Sequence, residues 1–302
     1  MDGILAVWKP AGWTSHDVVA KVRGITRVKR IGHAGTLDPQ VTGVLPLCIG
    51  RATRVVEYLQ ERPKAYEAVL QLGIATDTED MTGTTVEEVD SVSVTREEVA
   101  AALAAFIGEI DQVPPMYSAL KVDGKRLYEL AREGVTVERK SRKVQIYQIR
   151  LLEFVQDERR PRIRFDVECS KGTYIRTLCV DIGKRLNVPA TMAELTRTMS
   201  GGLTREHCFT IEQIAALQQE GQLQAQLLPS DAALTHMTKL VTDRQSAVVA
   251  LQGRKLPAHR VTGLTEALPD EPVRLYDEDG RFLGVFEWDR ALNLLKPIKV
   301  FN

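Results

Sequence analysis

The chain has 302 residues, long for one domain and enough for a large domain with a small one beside it. Its 44% apolar and 26% charged residues are ordinary for a soluble globular protein, and no apolar run approaches the roughly 20 residues of a membrane span. Lysine and arginine balance aspartate and glutamate at 40 each, a neutrality that argues mildly against a nucleic-acid binder. No basic-then-apolar leader opens the chain, so export is not expected. Cys48, Cys169, Cys179 and Cys208 are scattered without a Cys-x-x-Cys pair. That argues against a zinc site or a disulfide frame and fits a reducing, cytoplasmic setting.

In chain order, Ile4-Leu5-Ala6-Val7-Trp8 reads as a short buried strand and Lys9-Pro10-Ala11-Gly12 as a turn. Ser15 suits the N-cap of a helix with Val18, Val19 and Val22 on one face and Lys21 and Arg23 on the other. Gly32-His33-Ala34-Gly35-Thr36-Leu37-Asp38-Pro39 follows. Its glycines permit unusual backbone or a close ligand, and Pro39 pushes Asp38 out of the helical region onto a turn or loop. The apolar run Val44 to Ile49 predicts a strand, with a bend at Pro46. A carboxylate on a glycine-rich loop beside a buried strand can present a reactive group on a rigid base. A plain Asp-Pro turn is the alternative on these residues alone.

Residues 52 to 60 predict a helix striped by Val55, Val56 and Leu59, and residues 65 to 73 a strand that begins near Tyr66. Residues 76 to 83 predict a polar loop. It lacks the glycine and distal glutamate of a calcium loop, and Asp80 is a candidate anchor for a basic partner. Thr95-x-x-Glu98 is a capping box for a helix to about Phe106, ended by Gly108. Residues 111 to 143 mix Pro114-Pro115, Gly124 and Gly134 with Tyr117, Lys121, Lys125, Arg126, Tyr128 and Arg132, and predict an inserted hairpin-and-helix arm. Cations interleaved with aromatics bind backbone phosphates and stack bases.

Residues 144 to 155 and 162 to 169 predict a hairpin, and residues 169 to 173 a turn into a helix from about Tyr174 to Leu186. Arg176 then lies in the first turn, where the helix dipole disfavours a cation; a paired carboxylate would offset this, and Asp38 is the candidate. Residues 195 to 202 predict an edge strand running into a turn, and Thr210-x-x-Gln213 caps another helix. Residues 222 to 240 read as a linker. Beyond them, residues 251 to 254 predict a β-run, and Asp279-Gly280 between alternating apolar runs predicts a hairpin in a small all-β module.

Basic residues gather at Lys21, Arg23, Arg27, Lys29 and Arg30, at Arg139, Lys140, Arg142 and Lys143, and at Arg159, Arg160, Arg162 and Arg164. Acids concentrate between Asp77 and Glu98, so one face could hold a polyanion despite the net neutrality. Solvated charged faces of no consequence are the alternative.

Residues 32 to 45 resemble the G-H-x-G-x-L-D-P-x-x-x-G-V-L signature of the TruB family of tRNA pseudouridine synthases. The resemblance recurs in Lys9-Pro10-x-Gly12-x-Thr14-Ser15 and in Lys64-Ala65-Tyr66-Glu67. It recurs again in residues 115 to 121, in residues 169 to 177 (Cys-Ser-Lys-Gly-Thr-Tyr-Ile-Arg-Thr) and in Leu195-Thr196-Arg197. It implies an α+β protein. A mixed, mainly antiparallel sheet with flanking helices and an inserted thumb arm (about 111 to 143) would form a catalytic domain over residues 1 to 230. A small C-terminal β-barrel, PUA-like and RNA-binding, would follow over residues 238 to 302.

The resemblance further implies an isomerase that needs no cofactor and no metal and converts uridine 55 in the T-loop of tRNA to pseudouridine after base flipping. It implies tRNA, through its T stem-loop, as the partner, and a cytoplasmic monomer with no membrane contact. Asp38 takes the place of the family's catalytic aspartate, attacking ribose C1′ or base C6. Arg176 pairs with it, favouring the ionised carboxylate. Tyr66 stacks on the flipped base and helps move the C5 proton, Tyr174 is a second pocket tyrosine, Leu195 an apolar wall, and His33 fills the gap left by the uridine.

Two rivals stand beside this reading. The first is a hydrolase, a glycosidase or an Asp-dependent phosphohydrolase: a glycosidase needs two carboxylates flanking the bond, but no second acid shares a matched block with Asp38 and no Asp-rich metal cluster surrounds it. A non-catalytic RNA-binding or folding module fits the same fold and remains as a secondary role in tRNA folding.

Overall fold

The computed structural model describes residues 1–118, 120–122, 124–265 and 270–302, and all but the side chain of Lys121 among them. Ala119 and the Lys121 side chain, both part of the 115 to 121 block, therefore lie outside what is described. The elements that position the site are strands β1 (Gly3–Lys9), β2 (Ile31–His33), β3 (Thr42–Ile49) and β4 (Lys64–Leu72), with helices α1 (Ser15–Thr26) and α2 (Val56–Glu61) between them. Helix α3 (Arg96–Ala104), strand β5 (Gly108–Gln112), helix α4 (Leu127–Arg132), strands β6 (Arg142–Val155) and β7 (Arg162–Cys169) and helix α5 (Ile175–Arg185) follow. Strands β8 (Ala190–Ser200) and β9 (Cys208–Phe209) and helix α6 (Ile211–Gln219) complete the large layer.

The large sheet has ten strands among the described residues, in the order β9-β1-β3-β8-β4-β7-β6-β5, with β2 paired on β3 and a short strand, Leu203–Thr204, on β8. Most pairs are antiparallel; β1 with β9 and β8 with β3 are parallel. Alternation drives this arrangement. Tyr66, Ala68, Leu70 and Leu72 share one face of β4 and are buried in the main core with Val18 and Val22 of α1 and Leu178 and Ile182 of α5. The arm leaves the sheet after β5 and returns in β6, which pairs with β5. Between them lie a two-residue-strand hairpin (Lys121–Val122 with Lys125–Arg126) and α4.

A second, six-stranded sheet lies near the C-terminus. It holds β10 (Lys239–Thr242), β11 (Val273–Asp277), β12 (Phe282–Asp289) and β13 (Leu294–Val300) with two short strands, and curls into a barrel-like layer. The Asp279-Gly280 turn joins β11 to β12, where Asp277 N–H donates to the Arg281 carbonyl at 3.0 Å.

Several local expectations are corrected. The N-cap of α1 is Thr14, not Ser15, because Asp17 stands three residues on and completes a capping box. Strand β3 runs through Pro46 with unbroken register against β1. The 52 to 60 helix is a 3-10 turn, Gly50–Val55, continued by α2. Helix α3 stops at Ala104, and Gly108, at φ 111°, opens β5. Residues 195 to 202 are no edge: β8 sits between β3 and β4. The C-terminal module is not all-β, since α7 (Arg244–Leu251) ends where a β-run was expected. The 222 to 240 segment is packed: Leu228 bridges Ile4, and Ala233 and Leu234 are buried with Val44, Val285 and Phe301.

Candidate active site

The site is built where the loop after β2 meets the start of α5. Since Thr14 caps α1, the Ser15 hydroxyl is free to turn inward, and it accepts from Leu37 N–H at 2.9 Å. Val41 N–H donates to the Asp38 carbonyl at 3.1 Å, closing the turn that Pro39 initiates. The Pro39 carbonyl accepts from Gly12 N–H and from Lys9 Nζ, both at 2.9 Å. The Asp38 loop is thus fixed from both sides by backbone and buried side chains, while the carboxylate itself remains 43% exposed.

Arg176 meets that carboxylate from the first turn of α5. Its Nε lies 3.1 Å from Asp38 Oδ2, Nη1 donates to the Thr78 carbonyl at 2.9 Å, and Nη2 donates to the Tyr117 carbonyl at 2.7 Å. The guanidinium is buried, and its planar fork joins four segments remote in sequence. The pairing expected from the helix dipole is present.

Tyr66 is buried on β4, directly across from Arg197 on β8. Burial pushes its phenol pKa up, and the Arg197 guanidinium opposes that shift. Arg197 is itself buried. Its Nε donates to the Val44 carbonyl at 2.8 Å, and Nη2 and Nη1 reach the Gly35 and Thr36 carbonyls at 3.2 and 3.4 Å. Leu195 lies two residues before Arg197, on the same face of β8, paired with Ala68. Tyr174 is the N-cap residue of α5. Its backbone is clamped by Gln112, whose Oε1 accepts from Tyr174 N–H at 2.7 Å and whose Nε2 donates to the Tyr174 carbonyl at 3.0 Å. Burial raises the Tyr174 phenol pKa as well.

His33 stands apart. Its ring packs edge-on against His16 of α1, with centroids 5.3 Å apart, and its pKa is pushed down by burial and then by His16. Among the described residues no hydrogen bond or ion pair links it to Asp38. Asp80 turns inward, accepting from Thr78 and Thr82, so it anchors its own loop. In the third basic cluster Arg159, Arg160 and Arg164 pair with Asp90, Glu88 and Glu67, and Arg162 Nε donates to Gln71 Oε1 at 3.0 Å.

Three buried cations beneath the loop were not singled out from sequence: Lys9, Lys64 and Arg197. Burial brings Lys9 and Lys64 each down to about 8, the Asp38 charge opposing the shift at Lys9 and the Arg197 charge adding to it at Lys64. Each stood inside a block quoted above, but only strand pairing shows that they share one floor. Among the described residues no three metal-ligating side chains are placed to hold an ion.

This fold and site define a class before they define a member. The chain of a crystal structure of a Cbf5-Nop10-Gar1 complex superposes with a TM-score of 0.76 at 26% identity, covering 99% of this chain and 85% of that one. A structure of an H/ACA RNP bound to a substrate RNA containing 2′-deoxyuridine superposes at 0.74 and 25%, with the same coverage. The model of the TruB family pseudouridylate synthase N-terminal domain matches residues 23–175, and that of the tRNA pseudouridylate synthase B C-terminal domain matches residues 176–235. Curated relatives named tRNA pseudouridine synthase B are 44% identical in Geobacillus thermodenitrificans, over all of both chains, and 42% identical in Bacillus subtilis, over 99% of this chain and 97% of that one. The chain belongs to the TruB family and is a pseudouridine synthase, an isomerase.

Proposed function

We propose that this enzyme converts uridine 55 in the T-loop of tRNA to pseudouridine, with Asp38 as its catalytic carboxylate. The observation that carries the reading is the Asp38–Arg176 contact of 3.1 Å, with the carboxylate half-exposed on a braced loop and the guanidinium buried. The isomerisation breaks the C1′–N1 bond, joins C1′ to C5, releases the C5 proton and returns a proton to N1. It consumes no redox equivalent, so one carboxylate suffices as nucleophile or electrostatic stabiliser at C1′, or as nucleophile at C6.

Such chemistry needs the uridine out of the stack. Tyr66 and Leu195, on the adjacent strands β4 and β8, form the floor against which the flipped base packs, and Tyr174 closes the side beside α5. Tyr66 also moves the C5 proton. His33, at the end of β2, fills the gap left in the RNA. The arm between β5 and β6 closes over the T-loop, and its Tyr117 carbonyl, bonded to Arg176, couples that closure to the site. Residues 1 to 230 form the catalytic domain, and residues 238 to 302 a PUA-like module that holds the tRNA outside the loop. The enzyme works as a cofactor-free cytoplasmic monomer.

Tritium release from 5-[³H]uridine-labelled tRNA transcript tests the reading. Wild type is expected to release label, and Asp38→Asn to bind the transcript without release. Release by folded Asp38→Asn at the wild-type rate would overturn the assignment of the acid. A modified position outside the T-loop would overturn the assignment of the target.

A further inference from the structure

Helix α1 carries a stripe that the site does not use. Residues 16, 20, 23 and 27 are spaced four, three and four apart, so His16, Ala20, Arg23 and Arg27 follow one line along the helix for about 16 Å. The line begins at the active-site loop, since His16 packs on His33 and Ser15 holds Leu37. It ends in a turn where Lys29 and Arg30 join Arg27, and Arg23 Nε donates to the Lys29 carbonyl at 3.1 Å across that turn. All four cations are exposed, and among the described residues none makes an ion pair, whereas Arg150, Arg164 and Lys184 elsewhere each hold a carboxylate. Lys21 points to the other flank, where its charge acts on Glu212 of α6.

A second observation is independent of charge. Arg27 caps α1 in the left-handed region, at φ 60° and ψ 12°. Glycine takes that position most easily, then asparagine; an arginine there is strained. The chain places a cation where the backbone favours none.

We propose that Arg23, Arg27, Lys29 and Arg30 form a phosphate-binding rail for the RNA strand that leaves the pocket past His33 and His16. The occupant is the backbone of the substrate RNA, because a run of exposed, unpaired cations, beginning at Arg23 about two helical turns along α1 from the site, matches a polyanion and reads no base. The proposal rests on the functional reading above and extends the substrate's path beyond the cleft.

The test measures binding of an unlabelled tRNA transcript from 50 to 300 mM salt, in an Asp38→Asn background so that turnover does not enter. In Arg27→Gln/Lys29→Gln/Arg30→Gln, affinity at 100 mM salt is expected to fall about tenfold and the slope of log affinity against log salt to lose about two, at 0.7 to 0.9 per phosphate contact. The control Arg150→Gln/Arg164→Gln/Lys184→Gln removes the same charge from paired positions and is expected to leave the slope within 0.5. Arg27→Gly separates fold from binding: its melting temperature holds or rises, while the slope falls by about one. An unchanged slope in the first variant, or an equal fall in the control, overturns the rail. Isomerisation by Asp38→Asn would instead sink the catalytic reading and leave these slopes interpretable.

Discussion

Arg176 holds Asp38, the Thr78 carbonyl and the Tyr117 carbonyl through separate nitrogens. A lysine at this position reaches one of the three. Arg176→Lys is therefore expected to fold but to lose at least 100-fold in single-turnover rate, about 2.7 kcal/mol, with a smaller change in tRNA affinity. Quench-flow on labelled transcript separates the two quantities. Lys64 makes a different prediction. Its folded pKa of about 8 lies below the ordinary value near 10.5, because burial disfavours its charge. Between those values the unfolded chain holds a proton that the folded chain has lost, so wild-type stability rises with pH relative to Lys64→Met, by at most about 1.4 kcal/mol per pH unit. Urea unfolding of both proteins from pH 7.5 to 10 checks the sign, and parallel curves would contradict it. The Asp38–Arg176 contact was legible in the sequence, because Pro39 keeps Asp38 on a loop and a cation in the first turn of a helix calls for a carboxylate, whereas the choice of Asp38 as the acid rested on the family resemblance. Arg197 was not. Its meaning lies in facing Tyr66 across two strands more than 100 residues apart, and no local pattern records that pairing.

The elements were legible wherever local chemistry decides them. Thr95 and Glu98 form their capping box, and Asp279-Gly280 turns its hairpin. The errors share a physical cause. The Ser15 hydroxyl suits a cap, but Thr14 has Asp17 at the reciprocal distance and takes the role. The third basic cluster looks free in sequence, yet acids distant in the chain take up three of its four cations: Glu67 on β4 pairs with Arg164, and Glu88 and Asp90 pair with Arg160 and Arg159. Gly43 tests how tightly the elements meet. At φ 117°, a Cβ added there would lie 2.2 Å from the Arg197 carbonyl oxygen on the adjacent strand. Gly43→Ala is expected to push β8 from β3 and to cost about 3 kcal/mol in urea unfolding. A loss under 0.5 kcal/mol would mean the strands separate freely.

At the scale of the molecule the two sheets share an apolar cluster. Ile4 and Val44 of the large sheet pack with Val285 and Phe301 from the C-terminal layer, joined by Ala233 and Leu234 of the segment between. Phe301 →Ala is expected to cost about 3 kcal/mol and to split a single calorimetric transition into two, as the small sheet loosens first. A variant that still melts in one step at an unchanged temperature would show that the cluster does not couple the layers. The length could suggest two modules but not this seam, because its residues come from both ends of the chain.

The position of β8 has a consequence for how the protein is made. Strands β3 and β4 leave the ribosome early but do not pair with each other; the strand between them is complete only at residue 200. A nascent chain that has passed β7, at Cys169, therefore carries two half-sheets, β1-β3 and β4-β7-β6-β5, with an open edge on each, and such edges template wrong pairings. Synthesis at 5 to 20 residues per second leaves them bare for several seconds or more. The protein should depend on shielding by the ribosome or a chaperone during that interval, and fragments ending before residue 190 should aggregate, however sound their local structure.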